Sequence, residues 1–299
     1  MLEERAAARA ARDFARADGL RDEILAAGFV VKDTPEGQQI KAAPRFQARD
    51  PATIPNELGD PPSIEFSLHL LCEGFPDDVD RFLNGFARHN DVARAEVVVV
   101  DNGSDAGEWL EERARAHPFV RVVHLDRECG WATARNAGLK GARGEFIVLI
   151  DLSIEPAGDI LTPLRAVLAN PKVGVAGPYG LRSDDMRSWH EDPGPVVHAV
   201  EGYLLATRRG LLAQGLIHEK FRWYRNADID LSFQLRALGT EAVRVELPVL
   251  KHTHRGWTSV PEDERDKRSR RNHYLFFDRW KNHPLAAGAM DPDQGPGPA

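Results

Sequence analysis

Two runs of β-branched and other apolar residues, each ending in an aspartate, constrain this chain more than any other feature. Glu96-Val97-Val98-Val99-Val100 leads into Asp101-Asn102-Gly103-Ser104, and Glu145-Phe146-Ile147-Val148-Leu149-Ile150 leads into Asp151-Leu152-Ser153. Apolar runs of this length, bounded by turn residues and separated by helical patterns, predict parallel strands buried on both faces. Open parallel sheets bind ligands at the carboxyl ends of their strands. Both carboxylates are therefore expected to project into one crevice, where one can hold a nucleotide and the other a metal.

The alternation extends on either side. A strand over 66–71 precedes a helix opened by Pro76-Asp77-Asp78, with Val79, Phe82, Leu83 and Phe86 on one face. Helices over 107–116, 131–141 and 159–169 alternate with strands over 120–125 and 173–177, and the whole predicts an α/β domain with a largely parallel sheet over 64–284. Beyond 180 the pattern loosens into a strand-like stretch over 196–207, a helix over 228–238 stopped by Gly239, and a strand over 242–250. Ahead of the domain, residues 2–27 read as one amphipathic helix anchored by Phe14 and Ile24 and stopped by Gly28, within a helical extension over 1–40. Five prolines over 41–63 mark a linker or a wrapping segment, and the Gly/Pro-rich residues 285–299 read as a disordered tail.

Composition narrows the classes. A formal net charge of −7 argues against a general binder of phosphate backbones, so nucleic acid is not an expected partner. Two cysteines are too few for a disulfide framework or a zinc cluster, and Cys72, ending an apolar run, reads as a core residue. No apolar stretch reaches the roughly 18 residues of a membrane span, and the charged N-terminus lacks a secretory apolar core, so the expected location is the cytoplasm.

Several residues are suited to chemistry, each with a plainer alternative. Asp101 can accept two hydrogen bonds from a base edge or a ribose diol, or it is a turn residue capping the next helix. Arg135, in the small-residue helix start Gly130-Trp131-Ala132-Thr133-Ala134-Arg135, can reach a diphosphate or lie on a solvated face. Asp151 and Ser153, on one side of an extended segment, can bind a hard divalent ion such as Mn²⁺ or Mg²⁺, or Asp151 is a cap or turn residue at the strand end. Asp228 or Asp230 is expected as a helix cap, and the sharper reading makes Asp228 a general base. His252 and His254 alternate at a strand end, point to one face, and can complete the metal site.

In this order the pieces resemble family 2-like glycosyltransferases of the GT-A fold, over roughly residues 64–257. Val98-Val99-Val100-Asp101-Asn102-Gly103-Ser104 is similar to the family's nucleotide-binding strand end, and Ala134-Arg135-Asn136-Ala137-Gly138 to its Ala-Arg-Asn-x-Gly helix start. Asp151-Leu152-Ser153 resembles the metal-binding Asp-x-Asp, and Asn226-Ala227-Asp228-Ile229-Asp230-Leu231-Ser232 the segment holding the base. Glu201-Gly202-Tyr203-Leu204-Leu205-Ala206-Thr207-Arg208-Arg209 resembles an acceptor-side segment. The resemblance implies transfer of a sugar from a UDP-, GDP- or dTDP-linked donor to an acceptor hydroxyl, assisted by Mn²⁺ or Mg²⁺ and inverting. Asp101, Asn102, Arg135 and Asp151 would hold the donor, Asp151, Ser153 and His254 the metal. Asp228 would be the base, with Gly202, Asp230 and Trp189 of the 180–200 loop on the acceptor side. Ser153 and Ala227 depart from the family pattern, and they keep a catalytically inactive sugar-nucleotide-binding or assembly module as the alternative. Nucleotidyl transfer ranks lower, because Cys72-Glu73-Gly74-Phe75-Pro76 is no basic glycine-rich loop. Residues 11–23 with Asp33-Thr34-Pro35-Glu36-Gly37 resemble the C-terminal tail of cysteinyl-tRNA synthetases, which implies a helical module for packing or homo-oligomeric assembly.

Overall fold

The two aspartate-terminated runs lie in one eight-stranded sheet with a single strand between them. The computed structural model describes residues 1–34 and 37–289, and the chain divides into two units, Met1–Gln47 and a second that starts at Ala48. The second unit runs β1 (Ile64–Cys72), α1 (Pro76–His89), β2 (Ala95–Asp101), α2 (Gly107–Ala116), β3 (Val120–His124), α3 (Trp131–Lys140), β4 (Gly144–Ile150), α4 (Leu161–Leu168) and β5 (Val173–Gly177). It continues through β6 (Val196–Val197), β7 (Leu204–Arg208), α5 (Ala227–Arg236), β8 (Glu241–Arg244) and α6 (Glu262–Trp280).

Strand order across the sheet is β6-β8-β5-β7-β4-β1-β2-β3. β1 pairs in parallel with β2 and β4, β2 with β3, and β8 with β5. β7 inserts antiparallel between β4 and β5, and β6 runs antiparallel along β8. The result is the expected α/β architecture with a mostly parallel sheet. Alternation along β4 sends Ile147 and Leu149 to one face of the sheet, where they meet Phe221, Phe233 and Phe276. Phe146, Val148 and Ile150 go to the other face, with Phe66, Phe82 and Phe86. Covered on both sides, these strands need no polar residue along their length.

Helix α3 lies unusually close to the sheet because it carries Gly138. A Cβ at that position would stand 2.5 Å from Val100 Cγ2 and 3.2 Å from His69 Nδ1. This close seat brings Arg135, one turn earlier, down onto the strand ends.

The first unit departs from its expected single helix. Leu2–Ala10 and Phe14–Ala26 are separate helices, broken where Arg12 takes φ of 59° and restarted by Asp13, whose carboxylate accepts from Arg16 N. Phe14 is exposed and anchors nothing, while Ala17, Leu20 and Ile24 form the buried stripe. Gly28 ends the second helix at φ of 84°, and a hairpin of Phe29–Thr34 and Gly37–Ala42 follows.

Residues from Ala48 are part of the α/β unit and not a free linker. Arg49 N donates to His124 O, Glu57 N donates to Lys140 O, and the Arg209 guanidinium donates to the carbonyls of Glu57, Asp60 and Ala142. The strand expected over 196–207 is divided into Val196–Val197, Ala199–Val200 and β7, and the one over 242–250 into β8 and Val249–Lys251. Val249–Lys251 pairs with Ile154–Pro156, away from the main sheet. Pro284–Ala289 is helical where a tail was expected; the remainder of that tail, 290–299, lies outside the described residues.

Gly138→Ala is expected to cost about 1–3 kcal/mol in urea unfolding, because rigid atoms of Val100 occupy the space a methyl needs. Gly210→Ala, with open space around its Cα, is expected to change stability by less than about 0.5 kcal/mol. Equal stability of the two variants would contradict the close seat of α3.

Candidate active site

The crevice begins with Arg135, whose guanidinium is nearly inaccessible to solvent. Its Nη1 donates to His69 O at 2.7 Å and its Nη2 to Ile150 O at 2.9 Å, so one side chain clamps β1 to the end of β4. Burial pushes its pKa down to about 10, leaving it cationic at neutral pH. It therefore neither lies on a solvated face nor extends freely toward a ligand; it forms the positive floor of the crevice.

Immediately beyond Ile150 the backbone turns. Asp151 Oδ1 accepts from Ser153 N at 2.8 Å and from Ser153 Oγ at 2.5 Å. This is an Asx-type turn, not the extended segment expected, and it spends the Ser153 hydroxyl on Asp151 inside a buried pocket. Asp151 Oδ2 takes the other partner, His254 Nε2, at 3.0 Å. Burial opposes ionisation of Asp151, but the bonds from His254 and Ser153 outweigh it and hold the carboxyl below its usual range. Burial likewise opposes the His254 cation, and Asp151 outweighs it, so the imidazole pKa is raised. Tyr224 stacks on the His254 ring, with centroids 4.7 Å apart.

Asp228 stands in the first turn of α5. Its Oδ2 accepts from Gly202 N at 2.7 Å and its Oδ1 from Ile229 N at 2.9 Å. Gly202 is required there, since a Cβ would fall 2.8 Å from Asp228 Cβ. Burial pushes the Asp228 carboxyl up, against the pull of the two amides and of Arg225. The residue ahead of the helix is Asn226, in the left-handed region at φ of 64°, whose side chain makes no cap bond.

Asp228 borders two cavities. A narrow one runs between Arg135, Asp151, His254, Tyr203, Tyr224 and Asp228. A larger one, about 370 Å³, opens on the far side of Asp228 toward Trp189 and α6. Glu201 and Arg225 line both.

Other expected site residues are placed elsewhere. Asp101 does not project into the crevice. It is 2% exposed, with Oδ2 2.9 Å from His124 Nδ1 and Oδ1 accepting from the Ser104 amide and hydroxyl. Asn102 is buried and bonded to Cys129 through both ends of its amide. Gly103 faces the backbone of Arg127 and Glu128, not a ligand. Asp230 is fully buried against α6, where it accepts from Trp280 Nε1 at 2.8 Å and from Arg279. Two residues after Asp228 on a helix, it points to another face. His252 turns away from His254 and bonds Glu155 at 2.7 Å. Trp189 and Gly202 do reach the Asp228 neighbourhood. Tyr224 and Arg225 carry no role in the sequence analysis; the aromatic-basic run Trp223-Tyr224-Arg225 just ahead of α5 is their available signal, while Glu201 opens the segment that resembles an acceptor side.

A family model for glycosyl transferase family 2 matches residues 75–230, more than half of the chain. The chain belongs to glycosyl transferase family 2. A second model, the cysteinyl-tRNA ligase anticodon binding domain, matches residues 1–40 of this family 2 member. Among curated relatives, the protein y4gI of Sinorhizobium fredii is 28% identical over 233 residues, 66% of this chain and 25% of that one. The chain thus spans about a quarter of that relative. GalNAc-T7, solved with UDP, GalNAc and Mn²⁺, superposes with a TM-score of 0.62 at 17% identity, over 74% of this chain and 48% of that one. A mannosyltransferase of Pyrobaculum calidifontis, solved with GDP-Man and Mn²⁺, gives 0.54 at 21% identity, over 83% and 71%. These neighbours show the GT-A glycosyltransferase fold. Among the described residues no helix is long and apolar enough to cross a membrane.

The residues of this family 2 site fit a divalent ion shared with a diphosphate, and not one caged by protein. No cluster of three or more His, Cys, Asp or Glu suited to a metal occurs among the described residues. Asp151 Oδ2 and His254 Nε2 supply two donors of the right kind, and Mg²⁺-type sites take their remaining donors from phosphate and water. His254 Nδ1 accepts from Trp257 N at 3.0 Å, so binding a cation through Nε2 requires the ring proton to shift and that amide bond to be released. The Ser153 hydroxyl donates to Asp151 Oδ1.

His254→Ala is expected to weaken Mn²⁺ binding in the presence of UDP by at least about tenfold in titration calorimetry. His252→Ala, on the other side of the strand end, should leave it unchanged. Equal losses in both variants would restore the shared face that the sequence predicts.

Proposed function

We propose that this protein transfers a glycosyl unit from a nucleoside-diphosphate sugar to an acceptor hydroxyl, with inversion and with Asp228 as general base. The observation that carries the reading is the position of Asp228 on the wall between the two cavities, fixed by two backbone amides. The narrow cavity, with Arg135, Asp151 and His254, suits the donor diphosphate, and the larger one suits the acceptor.

In this scheme the acceptor hydroxyl gives its proton to the Asp228 carboxylate. The oxygen then attacks the anomeric carbon, and the bond from that carbon to the diphosphate breaks on the opposite face. Arg135 sets the positive floor against which negative charge collects on the departing diphosphate. Mn²⁺ or Mg²⁺ held by Asp151 and His254 would supply further neutralisation of that charge. The amides of Gly202 and Ile229 keep Asp228 in one orientation, so little ordering remains when the acceptor arrives.

Asp228→Asn is expected to lower kcat by about 10²–10⁴-fold while the donor KM stays within a factor of about three. Near-normal turnover would contradict the base assignment. Absence of donor hydrolysis and transfer in the wild type, with nucleotide binding intact, would favour the inactive-module reading that Ser153 and Ala227 suggest. A base works only when ionised, and the Asp228 carboxyl is pushed upward. The rate should therefore fall with decreasing pH, along an acid limb centred above the ordinary aspartate value of 3.8.

A further inference from the structure

The cavity beyond Asp228 has three arginines in its lining. Arg187 comes from the loop after Gly180–Arg182, Arg225 from the turn ahead of α5, and Arg270 from the middle of α6. All three are exposed, and among the described residues none has a carboxylate at ion-pairing distance; the Arg187 guanidinium lies over the Phe277 ring at 5.0 Å and that of Arg225 over the Trp257 ring at 5.5 Å, contacts that leave their N–H edges available to an anion. Their neighbours differ: Arg182, Arg255 and Arg279 are each bound to an aspartate. Two carboxylates face the three cations, Asp228 and Glu201, and Glu201 already has Lys251 at 3.9 Å. This local excess of positive charge stands on a chain whose formal net charge is −7. Like charges gathered on one cavity repel, and an anion entering between them converts that repulsion into attraction.

The rest of the lining suits a sugar. Trp189 is held edge-on by Phe233 and Phe276, with centroids 6.0 and 5.8 Å away, and gives the cavity a rigid aromatic wall. Two buried polar atoms of lining residues, Trp189 Nε1 and Ser269 Oγ, have no hydrogen-bond partner among the described residues. A polar occupant would relieve that cost.

We infer that the acceptor is an oxyanion-bearing sugar, a uronate or a sugar phosphate, whose charged group is held by Arg187 and Arg270 while a hydroxyl meets Asp228. Arg225, which also lines the donor cavity, stands between the two. The inference rests on the proposed reading of Asp228 as the base, but its test does not require turnover.

The full-length protein is titrated calorimetrically with methyl glucuronide, glucose 6-phosphate and methyl glucoside, and again as the Arg187→Gln/Arg270→Gln double variant. At least one anionic probe should bind about tenfold or more tightly than the neutral glucoside, as charge-assisted hydrogen bonds to a guanidinium dictate. The double variant should erase that preference while its Tm and its binding of methyl glucoside stay the same. The tighter of the two anions separates carboxylate from phosphate. Equal affinity for charged and neutral probes, or an anion preference that survives the double substitution, overturns the inference. If the preference is absent while Asp228→Asn still abolishes transfer, the base assignment stands and the anionic acceptor falls. A preference with fully active Asp228→Asn leaves the anion site and removes the base.

Discussion

The ion pair between His254 Nε2 and Asp151 Oδ2, 3.0 Å apart, joins the end of β4 to a loop that returns about a hundred residues later. Most of the crevice follows from it. Ser153 occupies one oxygen of Asp151, so the other can point only toward His254. The Trp257 amide and the Tyr224 ring fix the imidazole in turn. Beneath them Arg135 ties β1 to β4 through the carbonyls of His69 and Ile150 and keeps a positive charge under the site. A buried cation at the end of a parallel sheet is costly to desolvate, and two carbonyls with Asp151 nearby offset part of that cost. In the narrow cavity Arg135, Arg225 and His254 are set among the carboxylates of Asp151, Glu201 and Asp228.

Local pattern carried the strands and helices of the α/β unit. The apolar runs of β2 and β4 could be read because strands buried on both faces have no polar alternation to confuse with a helix. What the local pattern did not carry was decided across the fold. Asp101 lost its expected role to His124, which reaches it from the end of the adjacent strand, and no spacing rule announces that pair. The break at Arg12, the division of the 196–207 stretch and the exit of Val249–Lys251 from the main sheet are tertiary choices of the same kind.

Other departures have a signal in the sequence itself. Asp-Leu-Ser is a turn-forming triplet, and its serine closes the turn on Asp151. Asp228 and Asp230 are two residues apart in a helix, which separates them by more than half a turn; one lines the cavities and the other is buried on Trp280. His252 and His254 follow a strand that has already ended at Lys251, so strand alternation no longer governs them. Each case rewards asking which periodicity applies at that residue before deciding which side chains meet.

The central claim is that the β4 end forms a nucleotide-diphosphate site completed by a divalent ion. The most direct measurement is a thermal-shift series with UDP, GDP and dTDP, each with and without Mn²⁺. The account predicts that one nucleotide raises Tm by several degrees only when Mn²⁺ is present, as ligand linkage requires for binding well above Kd. No stabilisation by any nucleotide, or the same stabilisation without the metal, would contradict it.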